Sequence, residues 1–318
     1  MNPLRSRHRH IGHDAFTVIE LMVAVSILTL IVLALFSMFD QTQKALRGNA
    51  SQVDVLEGGR TAMEMLSREI EQMVAAGGDT PYATNAYPHL VVEHASPPSY
   101  QRLAGTNAWR ANVLSDLYFL TRADRIWTGI GYRVLSAQYV DQPGGKGATL
   151  VTNLAQGGCG FLARMSVSSN WALPSLVTNR VSMFNNLAQS TPAALSRYQR
   201  VVDGVVHFRL RMLDSRGQPI PATNIVDGMF PSHIGVFADP PVLWNEFGPP
   251  SVRFYAGVLP ASVEVELGIL EPQIVERLAS LTSYSARTNY LAKQASRVHL
   301  FQQRIPIRNA RTILPVTP

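Results

Sequence analysis

One carboxylate of this sequence lies where a charge is costly. Glu20 is the single charged residue in the apolar run 15–39, which is 25 residues long. A carboxylate inside a membrane-spanning segment costs about 2.5–3.5 kcal/mol near the bilayer centre and less near the interface. Two interpretations are open at this point. Glu20 either extends its carboxylate to the interface, or it is retained because it pairs with a cation.

Two further groups of polar residues are spaced two apart, so each group could form a binding or catalytic site on one face of a strand. Glu264 and Glu266 alternate with valines, so they share one face of a predicted strand and could seed a metal site or an acid/base pair. A solvated strand face is the favoured interpretation of that pair. His207, Arg209 and Arg211 share the polar face of another predicted strand and could contact DNA or an acidic partner. That face lacks interleaved aromatic residues, and we do not expect nucleic acid as a partner.

Familiar catalytic and ligand-binding motifs are absent from the sequence. The glycine-lysine loop 144–147 lacks phosphate-loop spacing, and neither a nucleophile elbow nor a zinc-binding H-E-x-x-H is present. Cys159 is the one cysteine, so it forms no intrachain disulfide, and we expect it to be inert. We therefore predict that the protein is not an enzyme and has no catalytic residue, metal or cofactor.

Composition predicts a folded, mildly basic protein with a membrane anchor. The 318 residues are 46% hydrophobic and 16% charged, which excludes a disordered chain, and the net charge is +6. About 20 apolar helical residues cross a bilayer, so the run 15–39 is long enough to span one. No small-residue cleavage site of the secretory type follows it. The arginines in residues 1–14 predict a cytoplasmic N-terminus, with the chain beyond Asp40 outside.

The segments after this run predict an α+β fold. Residues 40–76 are predicted to continue as an amphipathic helix ended by Gly77, with a bend or break at Gly48 or at the pair 58–59. Residues 77–318 are predicted to form a β-rich head. Irregular chain is expected at 81–110, strands at 112–120, 130–135, 205–213, 263–269 and 301–307, and a helix at 273–281. Within 205–213, Val206 is expected to share the apolar face of Phe208.

Residues 15–24, Ala-Phe-Thr-Val-Ile-Glu-Leu-Met-Val-Ala, resemble the cleavage and methylation motif of type IV prepilins. The resemblance implies cleavage between Ala15 and Phe16 by a prepilin peptidase, which removes a cytoplasmic leader of residues 1–15. Ala15 stands where the family usually has glycine. The resemblance also implies N-methylation of Phe16 and a filament-core helix at 16–39. Glu20 of one subunit then neutralises the Phe16 amine of its neighbour.

Parts of the head resemble the J-type minor pseudopilin of type II secretion and the larger minor pilins. The matching segments are the strand and turn 203–217, the proline-led strand 259–267, and the middle strands 132–135 and 161–164. The chain carries additional residues at about 165–200 and 220–250. In layout and size it is also similar to the type C prepilin-like proteins of Verru_Chthon cassettes.

These observations predict a non-enzymatic subunit of a type IV pilus or of a type II secretion-like filament, with a minor or tip position. The expected partners are the prepilin peptidase, other pilins or pseudopilins, and the lipid of the bacterial inner membrane before assembly. The head is expected in the periplasm, and later in the filament. Two alternatives stay open, a membrane-anchored enzyme or binding protein that does not assemble, and a minor pilin that contacts DNA.

Overall fold

In the computed structural model, the described residues divide into two compact units, with the boundary between Ala50 and Ser51. The described residues are 17–75, 89–94, 99–103, 107–124, 126–141, 148–154, 158–170, 183, 186–220, 223–224, 236–238, 251–254, 259–281 and 283–309. The glycine-lysine loop at 144–147 lies outside them, as do residues 171–182 and 184–185 of the additional material at 165–200 and most of the additional material at 220–250.

The first element is one uninterrupted helix of 54 residues, α1 (Val18–Glu71). A break at its glycines is wrong, because helical backbone continues through Gly48, Gly58 and Gly59. A bend at these positions stays a prediction. The helix also ends earlier than residue 76. Val74 donates its backbone N–H to the carbonyl of Leu120 at 2.9 Å, so pairing with a neighbouring strand replaces the last helical turn.

The predicted α+β architecture is confirmed by an 11-stranded sheet in the unit 51–318. Its strands are β1 (Leu90–His94), β4 (Ser115–Ala123), β5 (Ile126–Asp141), β6 (Ala148–Leu154), β7 (Gly160–Asn170), β8 (Gln199–Leu213), β9 (Thr223–Asn224), β10 (Val236–Ala238), β11 (Ser251–Phe254), β12 (Ser262–Leu270) and β13 (Val298–Pro306). Along one path the order is β13-β12-β8-β7-β5-β4-β1-β11-β10-β9, with β6 paired to β5. Neighbouring strands are antiparallel except for the short pair β9 and β10, which is parallel.

A separate two-stranded sheet consists of β2 (Ser99–Arg102) and β3 (Trp109–Asn112). Together with β1, these strands overturn the expectation of irregular chain throughout 81–110. The described residues also include three short α-helices, α2 (Pro192–Leu195), α3 (Pro272–Ala279) and α4 (Tyr284–Ala292), and a 3-10 helix at Ala295–Arg297. Pro272 begins α3, as predicted, since its fixed φ suits the first helical position and its missing N–H costs nothing there.

The hydrophobic core follows the two-residue period of the strands. On β4, Leu117 and Phe119 join a cluster that includes Leu66 and Ile70 of α1, whereas Tyr118 and Leu120 join a second cluster on the opposite face. The C-terminal part of α1 thus covers one face of the sheet. This part of the helix belongs to the compact unit that begins at Ser51.

A β-bulge corrects the face predicted for Val206. The register between β8 and β12 shifts at Gly268 and Ile269, so Val205 takes the place facing the main core. Val206 packs instead with Leu270 and Leu278 in a smaller cluster. The extra residue of a bulge changes which side chains share a face, and the alternating sequence pattern alone does not reveal it.

Candidate assembly site

The start of α1 is a capping box formed by Thr17 and Glu20. Thr17 donates both its backbone N–H and its hydroxyl to Oε2 of Glu20, each at 3.0 Å. In return, the backbone N–H of Glu20 lies 3.4 Å from the Thr17 hydroxyl oxygen. Such reciprocal bonds satisfy amide groups that have no partner in the first helical turn. Glu20 therefore has a local structural role that the sequence pattern T-x-x-E could have indicated.

The apolar residues that follow Glu20 are exposed along the helix. Between Val18 and Phe39, every large hydrophobic side chain is 51–78% exposed. Among the described residues, α1 is the one helix that is long and apolar enough to span a membrane. The hydroxyls of Ser26 and Thr29 donate to carbonyls one turn earlier, those of Met22 and Val25, at 2.8 and 2.7 Å. These bonds satisfy both hydroxyls inside the helix, as an apolar environment requires.

The second half of α1 packs closely against β13 through Gly59. A β-carbon at Gly59 would overlap the ring of Phe301, whereas one at Gly58 would meet only a methyl group of Val202 at 3.4 Å. The ring of Phe301 therefore occupies the space that a β-carbon at Gly59 would need, and any larger residue there would have to displace it. Gly48 has open space around it and no such constraint.

A polar cluster fastens the last turns of α1 to the middle of the sheet. The guanidinium of Arg164 on β7 binds the carboxylate of Glu69, with a shortest N–O distance of 2.6 Å. The hydroxyl of Tyr132 on β5 donates to the same carboxylate. Charge-assisted hydrogen bonds of this kind are about twice as strong as neutral ones. Two residues further along α1, Glu71 pairs with Arg308 at 2.7 Å.

The predicted polar face of β8 is engaged within the sheet. His207 is 3% exposed, so its imidazole is not accessible for the contact with DNA or an acidic partner that the sequence pattern left open. Its Nδ1 accepts the backbone N–H of Val113 at 3.1 Å, so Nε2 carries the proton and donates to Glu266 at 3.1 Å. Burial lowers the pKa of His207, and the hydrogen bond to Glu266 opposes that effect. Arg211 lies 3.4 Å from Glu264 and 3.5 Å from Glu266.

Glu264 and Glu266 share a strand face, as predicted, and both carboxylates are paired with Arg211 of β8. Within the described part of the chain, no group of three or more His, Cys, Asp or Glu residues is placed to hold a metal ion. Cys159 is buried, and burial raises the pKa of its thiol to about 12. It lines a cavity of about 640 Å³ together with residues of α1, β8 and α3.

A buried ion pair between Asp116 and Arg133 was missed by sequence reasoning. Arg133 Nε donates to Asp116 Oδ2 at 2.8 Å, and both residues are almost fully buried. The remaining donors of Arg133 bind the carbonyl of Gln189 at 2.8 Å and the hydroxyl of Ser190 at 3.2 Å. The pair joins β4 and β5 to the segment that precedes α2. Its members are isolated charges in otherwise apolar strands, which is the sequence feature that could have revealed them.

Of the residues predicted to act in processing and assembly, the structure describes Glu20, while Ala15 and Phe16 lie outside the described residues. Comparisons of the chain with known protein families, with curated proteins and with solved structures found no match.

Proposed function

We propose that this chain is a non-enzymatic subunit of a type IV pilus or a type II secretion-like filament, which assembles through its N-terminal helix. The observation that carries the proposal is the division of α1 into two halves of opposite environment. Its N-terminal half exposes every large apolar side chain, and its C-terminal half buries Leu66 and Ile70 in the core of the head. Exposed apolar surface of this extent requires a lipid or protein partner.

The geometry of Glu20 is compatible with a second partner beyond its own helix. Both hydrogen bonds from Thr17 reach Oε2, and Oε1 accepts none from the described residues. An ionised carboxylate has about four acceptor sites, so Oε1 can receive the Phe16 amine of a neighbouring subunit while the capping box stays intact. Among packed apolar helices this pairing fixes register, because an unpaired carboxylate there costs several kcal/mol.

The proposed maturation begins with a prepilin peptidase that cleaves between Ala15 and Phe16 and with N-methylation of Phe16. Before assembly the subunit crosses the bacterial inner membrane once, with the basic residues 1–14 in the cytoplasm and the head in the periplasm. Other pilins or pseudopilins are its partners in the filament. Removal of the leader matters because its positive charges oppose transfer of the apolar helix out of the bilayer.

The test is Glu20→Gln, with Glu57→Gln as the matched control at an exposed position further along α1. Glutamine also closes a capping box, so E20Q removes the charge and keeps the helix start. We expect both variants to be cleaved and methylated normally, which the intact mass of the protein reports. Only E20Q should be lost from the sheared filament fraction. Wild-type incorporation of E20Q would refute the charge-pairing role, and a retained leader in the wild type would refute processing.

A second candidate function is that of a membrane-tethered binding protein, which the cavity at Cys159 favours. This cavity of about 640 Å³ is large enough for a small ligand, and its walls combine apolar side chains such as Phe161 with the charged residues Asp54, Arg200, Asp203, Glu276 and Arg287. A tethered binding protein keeps its full N-terminus and never enters a filament. The same mass measurement therefore separates the two candidates.

A further inference from the structure

The β2–β3 hairpin presents aromatic residues to solvent on one face. Its inner face holds Gln101, which is fully buried and donates to the carbonyl of Leu291 on α4 at 3.0 Å. The alternating residues Tyr100 and Arg102 therefore point away from the head. Trp109 lies directly opposite Arg102 in the register and is 59% exposed, and Tyr100 is 48% exposed.

The same region is basic. Residues 99–103, 107–113 and 283–297 contain five arginines and lysines and no aspartate or glutamate. Arg297 is paired with Glu271, and Arg110 lies close enough to Glu266 to interact with its charge. Within the described residues, Arg102 and Lys293 form no ion pair. We call Tyr100, Arg102, Trp109 and Lys293 the aromatic–basic patch.

The patch is connected through α4 to the first residues of its own compact unit. Arg287 of α4 lines the same cavity as Asp54 and Val55 of α1. These two residues of α1 come shortly after Ser51, where this compact unit begins. The hairpin is attached to α4 through Gln101. In the sequence, the exposed apolar run of α1 ends at Phe39, about a dozen residues before Ser51.

We propose that the aromatic–basic patch binds the surface of an anionic lipid bilayer while the protein is anchored in it. Tryptophan and tyrosine are enriched at membrane interfaces because one part of each ring is apolar and another part is polar. Arginine and lysine beside them attract lipid phosphates. This inference rests on the anchored state of the proposed function and is independent of filament assembly.

Anionic lipid fits these observations better than nucleic acid does. Single-stranded nucleic acid also requires exposed aromatic rings beside cations. The chain, however, carries a candidate membrane span, and α4, which supports the patch, lines a cavity with Asp54 and Val55, about 15 residues after the exposed apolar run in the sequence. Docking of the head on lipid is then intramolecular, so a small patch suffices, because the tether raises the effective concentration of the surface.

The test is hydrogen–deuterium exchange of the full-length protein in nanodiscs of phosphatidylcholine alone or mixed with phosphatidylglycerol. We expect slower exchange in peptides covering β2, β3 and α4 in the anionic discs, and loss of this protection at high salt. Arg102→Gln or Lys293→Gln should each reduce the protection about fivefold, which corresponds to about 1 kcal/mol per cation. Trp109→Ala should reduce it as well, whereas exchange in β8 and β12 should be unchanged and reports correct folding.

Arg216→Gln, in the exposed turn after β8, and Leu300→Ala, at an exposed apolar position of β13, are the matched controls and should retain full protection. Equal exchange in both types of disc would overturn the inference. So would protection of the same peptides by oligothymidylate in detergent without any response to anionic lipid. The intact mass of the same sample reports processing, so a failure of the proposed maturation is recognised separately.

Discussion

Replacement of the two adjacent glycines of α1 by alanine should have opposite effects on the stability of the head. Alanine is about 1 kcal/mol more favourable than glycine within a helix, and this gain is common to Gly58→Ala and Gly59→Ala. At Gly58 the new methyl group would be in ordinary contact with Val202. At Gly59 it would overlap the ring of Phe301 and displace it. Such overpacking costs about 1–3 kcal/mol.

The difference in unfolding free energy between the two variants isolates this cost, because the helix-propensity gain cancels. We expect Gly58→Ala to be more stable than the wild type by up to about 1 kcal/mol and Gly59→Ala to be less stable than Gly58→Ala by about 1–3 kcal/mol. Urea unfolding of the full-length protein in detergent, followed by circular dichroism, measures both. The double variant with Phe301→Ala should abolish the additional cost of the methyl group. Equal stability of G58A and G59A would show that α1 does not approach β13 as closely as described.

Two further predictions concern buried titratable groups. Burial raises the pKa of Asp116 to about 6, a larger effect than the opposing charge of Arg133. The stability that this group contributes is therefore full below its unfolded pKa of about 3.9 and is lost as the pH rises to about 6. Urea unfolding between these pH values should show a decrease in the free energy of unfolding of the wild type and none in Asp116→Asn. The same pH dependence in both proteins would contradict the raised pKa of Asp116. Because burial raises the pKa of Cys159 to about 12, a maleimide should leave the native thiol unmodified at neutral pH and label it after unfolding; rapid native labelling would argue against this environment.

Local patterns predicted the elements whose residues alternate or repeat regularly. The strand predicted at 263–269 lies within β12, the strand at 205–213 lies within β8, and Pro272 begins α3. These segments are predictable because one-sided burial of a strand and the preference for proline at the first helical position both depend on a few neighbouring residues. The resemblance of residues 15–24 to a prepilin motif is likewise local, and its implications remain predictions.

Features that depend on distant residues were not predicted. Glu69 is 63 residues from Tyr132 and 95 residues from Arg164, and only the folded sheet brings the three together. The same holds for the burial of His207, whose partners come from β12 and from the chain after β3. The early end of α1 has a similar cause, since pairing with β4 overrides a favourable helical sequence.

The C-terminal part of α1 covers one face of the sheet and buries its apolar residues, and this has a practical consequence for truncation. A recombinant fragment cut at the boundary of residue 76 would lack Leu66, Ile70 and the carboxylate of Glu69. One apolar face of its sheet would be exposed to water, and Arg164 would lose the carboxylate with which it pairs. A water-soluble fragment suitable for crystallisation must therefore begin near Ser51, where the compact unit begins.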